Sequence, residues 1–192
     1  MTIQVERESI TTKSRFVSPT YTDKDGLQQV VGSDRSMPVI DVNHLRLHEG
    51  RAYYVYKMYT YAAGLVAGSS IDIALAFPAG TVPHAVFSYG GSGEAEFYVY
   101  ESPTTSGGTS MTIHRRNRNL LTTSVGAAVL DPTVSSTGTE IFAEFVPANK
   151  QGGGSQGYTF EYVLKPLTTY LFRLTNVNAQ PHAAELRIEW YE

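Results

Sequence analysis

The sequence predicts an all-β fold: an antiparallel β-sandwich, jelly-roll-like, with an extended N-terminal arm. Three observations predict it. The C-terminal stretch 164–192, LKPLTTYLFRLTNVNAQPHAAELRIEWYE, alternates aromatic and aliphatic residues with Thr, Arg and Glu, the period-2 pattern of half-buried strands. Comparable signals recur from Met37 onward, separated by turn chemistry at Gly90-Gly91-Ser92-Gly93, at 103–108 and at Gly152-Gly153-Gly154. No window shows a convincing amphipathic helix, and the chain is rich in residues that serve turns and sheets, with 17 Gly and 13 Tyr.

Taken in order, residues 1–36 read as the arm and 37–192 as a single β-sandwich domain. The arm is dense in charge (Arg7, Lys13 and Arg15 among the cations) and its apolar residues follow no sustained period. A short hairpin is expected to turn at Asp23-Lys24-Asp25-Gly26. An arm of this composition packs poorly on its own domain and suits the surface of a neighbouring subunit. In the domain, strands are expected at 39–48, 52–61, 70–77, 84–89, 94–101, 110–115, 140–146, 158–164, 170–175 and 184–191. Short strands so spaced indicate a sandwich, with a jelly roll the expected topology. The glycine run at 152–155 reads as a flexible hairpin tip. No repeat of fixed period points to a propeller or solenoid.

Composition narrows the function. A chain of 192 residues buries roughly 70% of its unfolded surface as one domain. With no Cys it has no thiolate nucleophile and no Cys-ligated metal site. A net charge of −3 supplies no global field for nucleic acid or an anionic membrane. No apolar run approaches the roughly 20 residues that span a bilayer. The opening MTIQVERESITTK has charges and hydroxyls where a signal peptide carries an apolar core.

Catalytic patterns are weak. On a strand, His44 and His48 of HLRLHEG would stand about 13 Å apart with Arg46 between them, too far for joint ligation. The segment PAGTVPH misses the cupin spacing P-x-G-x-x-H by one residue. Glu94 with Glu96, and Glu140 with Glu144, share strand faces as any solvated sheet face does. GSGEA is not G-x-S-x-G, and no P-loop occurs. The expectation is no enzyme, no bound metal and no cofactor.

Two patterns point to binding. In RAYYVYKMYTY, Tyr53, Val55, Lys57, Tyr59 and Tyr61 share one face, and Tyr54, Tyr56, Met58 and Thr60 the other. Tyrosine suits subunit interfaces and sugar platforms alike. Between Met58 and His114 there is no Lys or Arg, whereas 102–130 lacks carboxylates and holds Arg115, Arg116 and Arg118 in HRRNRN. Such segregation fits contacts between copies of the chain or between strands of one copy.

Together, HLRLHEGRAYYV, FPAGTVPHAVFSYGGSGEAEFYVYE, the turn SPTTSGGT leading into HRRNRN, and LKPLTTYLFRLTN with ELRIEWYE resemble tailed-bacteriophage virion proteins, the small β-sandwich head decoration (cement) proteins. The resemblance covers about residues 40–192. It implies a non-enzymatic protein that stabilises the outside of an icosahedral capsid by binding between capsomers. It implies the major capsid protein and further copies of itself, as a dimer or trimer, as partners, with neither nucleic acid nor membrane. Location would be the capsid surface of the virion, assembled in the host cytoplasm. Arg115, Arg116, Arg118, Arg7, Lys13, Arg15, Tyr53, Tyr59 and Tyr61 are the candidate contact residues. The alternative is a jelly-roll carbohydrate- or receptor-binding module of a tail fibre, and behind it a cupin-like enzyme.

Overall fold

A computed structural model describes residues 20–22, 28–30, 42–147, 154–157 and 161–192. The chain divides into two compact units, Met1–Asp41 and Val42–Glu192. In the first, β1 (Thr20–Thr22) pairs antiparallel with β2 (Gln28–Val30), Tyr21 opposite Gln29. These strands flank the expected turn at Asp23–Gly26. The remainder of the arm, with Arg7, Lys13 and Arg15, lies outside the described residues.

The second unit begins with α1 (Val42–His48) and continues through β3 (Ala52–Tyr59), a 3-10 turn at Tyr61–Ala63, β4 (Ser70–Ala76), β5 (His84–Gly91) and β6 (Ala95–Glu101). Five short strands follow: β7 (Thr104–Ser106), β8 (Thr109–Ser110), β9 (His114–Arg115), β10 (Ala127–Leu130) and β11 (Thr133–Ser136). The chain ends with β12 (Thr139–Val146), β13 (Gly154–Gly157), β14 (Tyr162–Val163), β15 (Thr169–Asn176) and β16 (Ala184–Tyr191).

Two antiparallel sheets pack face to face. One runs β12-β6-β15-β4-β10-β8 and the other β13-β5-β16-β3-β9, with β14 also on β5. The long strands alternate between them: β3 then β4, β5 then β6, β12 then β13 and β14, β15 then β16. That is jelly-roll order. The segment between β6 and β12 adds β8 and β10 beside β4, adds β9 beside β3, and forms a separate β7–β11 pair.

Inward residues follow the period-2 rule. Val55, Phe87, Tyr89, Leu186, Ile188 and Trp190 meet Ile71, Ile73, Leu75, Phe97, Val99, Phe172 and Leu174 in one buried cluster. Aromatic contacts lace the sheets together: Tyr89 stacks on Phe97 at 4.0 Å between ring centroids, and Phe87 lies 5.3 Å from Phe97. Each fully buried side chain of this size contributes about 1.5–3 kcal/mol. At one end of the sandwich Asn176 is fully buried. Its amide donates to Leu65 O (2.8 Å) and Gln180 O (3.0 Å), and its Oδ1 accepts from Asn178 N (2.7 Å). The polar 176–181 loop is thus built around one satisfied amide.

Several expectations need correction. Over its described part the expected strand 39–48 is a helix, because 42–48 form α1; residues 39–41 lie outside the described residues. The end of α1 explains the helix. Gly50 has φ +73°, its N–H bonds Leu47 O (3.1 Å), and Arg51 N–H bonds Arg46 O (2.9 Å); this is a Schellman stop, which needs a left-handed residue after a helical turn. The expected strand 110–115 is two short pieces, β8 and β9. Gly154 and Ser155, read as part of a flexible tip, belong to β13 and pair with Gly91 and Gly90. Of the expected strand 158–164 only β14 is described, residues 158–160 lying outside the described set.

Candidate functional site

The outer face of the β5-β16-β3 sheet is built by the same alternation that builds the core. With Tyr53 and Val55 turned inward, Tyr54, Tyr56 and Met58 turn outward. In register beside them on β16, Arg187 stands opposite Tyr56, Glu189 opposite Tyr54 and Glu185 opposite Met58. The Tyr54 and Tyr56 rings stack (6.1 Å), and His114 of β9 lies 5.1 Å from Tyr54 and 5.8 Å from Tyr56. The Arg187 guanidinium sits 4.8 Å above the Tyr54 ring, a cation–π contact.

Glu189 organises the charges of this face. One carboxylate oxygen lies 2.8 Å from Arg187 Nε and the other 2.8 Å from Arg116 Nη1. Further along, His84 stacks on Tyr191 (4.9 Å) and its Nδ1 lies 2.8 Å from Glu161 Oε1. At the opposite end, Met58, Tyr59, Tyr61, Ser88, Glu185 and Arg187 line an open groove of about 530 Å³. Tyr61 is 79% exposed there. Lys57 Nζ lies 4.8 Å from the centre of the Tyr59 ring. Tyr89, also at the groove, donates to Glu144 Oε2 at 2.7 Å. Burial first, and that carboxylate second, push its phenol far above the ordinary tyrosine range, so it stays a neutral donor.

The structure sorts the sequence candidates. Tyr59 and Tyr61 come together in the groove. Tyr53 does not belong with them: it is 3% exposed and packs 6.1 Å from Trp190 in the core. Alternation separates the two tyrosine faces without saying which one is buried; the outward set is Tyr54, half-buried, and Tyr56, exposed. A hint was present in Val55, the aliphatic member of the Tyr53 set.

The arginine cluster disperses. Arg116 meets Glu189, so folding supplies the carboxylate that the local sequence lacks. Arg115 donates to Thr122 O (3.2 Å) on the loop itself. Arg118 is exposed. Asn117, between them, reaches Leu47 O (3.1 Å) and His48 O (3.3 Å) and covers the end of α1. Charge segregation along the sequence is resolved largely within one chain, since Glu101 pairs with Lys165 (2.7 Å) and Asp72 with Arg173 (2.6 Å). His44 and His48, expected far apart, are one helical turn apart with Nε2 atoms 3.0 Å from each other.

A second exposed feature lies on the other sheet. Along the edge strand β12, Ile141 (38%) and Phe145 (53%) are exposed, and on the adjacent β6 the rings of Tyr98 and Tyr100 stack at 5.7 Å. No family model, curated protein or solved structure matches the chain.

Proposed function

We propose that the protein is a non-catalytic structural component of a tailed-phage virion, binding in many copies to the major capsid protein on the outside of the shell, between capsomers, as a dimer or trimer. It assembles in the host cytoplasm and stays on the capsid surface, with neither nucleic acid nor membrane as partner. The observation that carries this reading is the outer face of the β5-β16-β3 sheet. Stacked tyrosines, an exposed methionine and two arginines gathered on the Glu189 carboxylate make a broad surface whose side chains hold one another in place. Aromatic residues and Arg are the groups enriched in interfaces, and prior ordering lowers the entropic cost of docking. The motifs behind the resemblance to decoration proteins fall in both sheets, with β3, β5, β9 and β16 on this one and β6 and β15 on the other.

The test adds the purified full chain to shells that lack it and follows co-sedimentation and heat resistance. Binding and a raised rupture temperature are expected, because a ligand selective for the assembled state stabilises it by about 2.7 kcal/mol at a hundredfold excess over Kd. Tyr54→Ser/Tyr56→Ser should weaken binding by about 30-fold or more, the loss of an interface hot spot, while the isolated protein keeps its melting temperature within a few degrees. Shells that ignore the wild-type protein overturn the proposal.

A second reading rests on the groove. Tyr59 and Tyr61 rings beside Ser88, Glu185 and Arg187 form the apolar platform with polar neighbours that a saccharide requires. A glycan array answered by the wild type and silenced in Tyr61→Ala favours a receptor-binding module of a tail fibre instead.

A further inference from the structure

The pair His44 and His48 carries an inference independent of the capsid reading. The residues are four apart on α1, both exposed, with ring centroids 4.6 Å and Nε2 atoms 3.0 Å apart. Histidines at i and i+4 share a helical face and converge on one point in front of it. Nitrogens this close are within reach of one ion at metal–nitrogen bonds of about 2.0–2.1 Å, and a pair of imidazoles suits Cu(II) above the other first-row divalent metals.

We propose that α1 carries a two-histidine clip for a divalent transition metal, Cu(II) in first place, with water filling the remaining positions. The charges around it permit a cation. Arg46, between the two histidines in sequence, is neutralised by Glu49 at 2.9 Å. The cavity of about 330 Å³ that His44 borders also holds Arg116 and His84, each against a carboxylate, Glu189 and Glu161 respectively. Among the described residues no group of three or more His, Asp or Glu converges, so the clip supplies two protein ligands. Without metal, one Nε2–H donates to the other Nε2. On binding, that ring carries its proton on Nδ1 and frees both Nε2 lone pairs. The metal would bridge successive turns of a seven-residue helix whose last carbonyls Asn117 already holds.

The experiment titrates the full chain with Cu(II), Ni(II) and Zn(II) by calorimetry and records the electron paramagnetic resonance of the copper form. One Cu(II) per chain is expected, in the affinity order Cu(II) > Ni(II) and Cu(II) > Zn(II), with a tetragonal spectrum showing two imidazole nitrogens. His44→Ala and, separately, His48→Gln should each weaken Cu(II) binding at least tenfold and leave one imidazole or none in the spectrum. The circular dichroism of both variants should stay that of the wild type, since both side chains are exposed. Unchanged affinity in both variants overturns the proposal, as does a preference for Zn(II) or a wild-type copper signal without two imidazoles. Capsid binding does not enter any readout, so either proposal can fail alone.

Discussion

Replacing Arg173 by Met tests how the outer side of the β4–β15 sheet is held. Arg173 stands opposite Asp72 in register, and the pair is bidentate, Nε to Oδ1 at 2.7 Å and Nη2 to Oδ2 at 2.6 Å. The Asp72 side chain is 12% exposed and that of Arg173 24%. Without the guanidinium, the carboxylate of Asp72 loses both charge-assisted bonds and faces little water. Its own backbone N–H is already directed to Asp131 Oδ1 (3.3 Å), so a second carboxylate lies close by. Breaking a buried pair costs about 3–5 kcal/mol; the remaining exposure lets water compensate part of this, which sets about 2–4 kcal/mol. For a domain of this size that corresponds to a fall of about 5–15 °C in Tm. The double variant Asp72→Leu/Arg173→Met removes the stranded charge as well and should return to within about 1 kcal/mol of the wild type. Urea unfolding at a common slope measures all three proteins, and the single variant Asp72→Leu completes the cycle that gives the coupling energy. A single variant that loses less than about 1 kcal/mol, or a double variant no better than the single, refutes the argument.

Gly50→Ala should lower stability by at least the ~1–2 kcal/mol that a left-handed backbone costs an L-residue. An added Cβ would also stand 2.7 Å from Leu120 Cδ1 and Thr122 Oγ1, and calorimetric Tm reads the sum. Stability should also fall in acid through Glu101. Lys165 first, and the Tyr170 hydroxyl second, hold its carboxyl below the usual carboxylate range. A depressed folded pKa contributes stability that is complete above the unfolded value, about 4.3, and is lost as pH falls through the folded one. Urea midpoints between pH 6 and pH 3 should therefore drop less steeply in Glu101→Gln than in the wild type.

The sandwich was legible where burial repeats every second residue over a long strand. β16 shows this best: Ala184, Leu186, Ile188 and Trp190 are buried and the residues between them reach the surface, as the letters alternate. α1 was misread because Leu45 and Leu47 are two apart, as on a strand, and seven residues give too few turns for a helical period to emerge. The informative signal was at its end, Arg46 and His48 in the last turn followed by Gly50. β10 went unseen because Ala127 and Ala128 carry little pattern. Its pairing with β4, Ala127 opposite Ala76, is decided by a partner some fifty residues away.

The insertion between β6 and β12 explains why local charge was a poor guide to the candidate surface. Its stretch 102–130 holds no carboxylate, and Arg115, Arg116 and Arg118 therefore looked like unsatisfied cations. The insertion, however, adds strands to both main sheets. β9 adds to the edge of β3 with Tyr53 opposite Arg115 and Tyr54 opposite His114, and Arg116 N–H bonds Ala52 O (2.9 Å). This docking carries His114 onto the tyrosine stack and Arg116 to Glu189, while Asn117 closes α1. The carboxylate-free segment was lent to a sheet that already had carboxylates. Its sequence shows what it brings and only the fold shows where, which leaves Arg118, exposed beyond the end of β9, as the member of the cluster best placed to meet a partner.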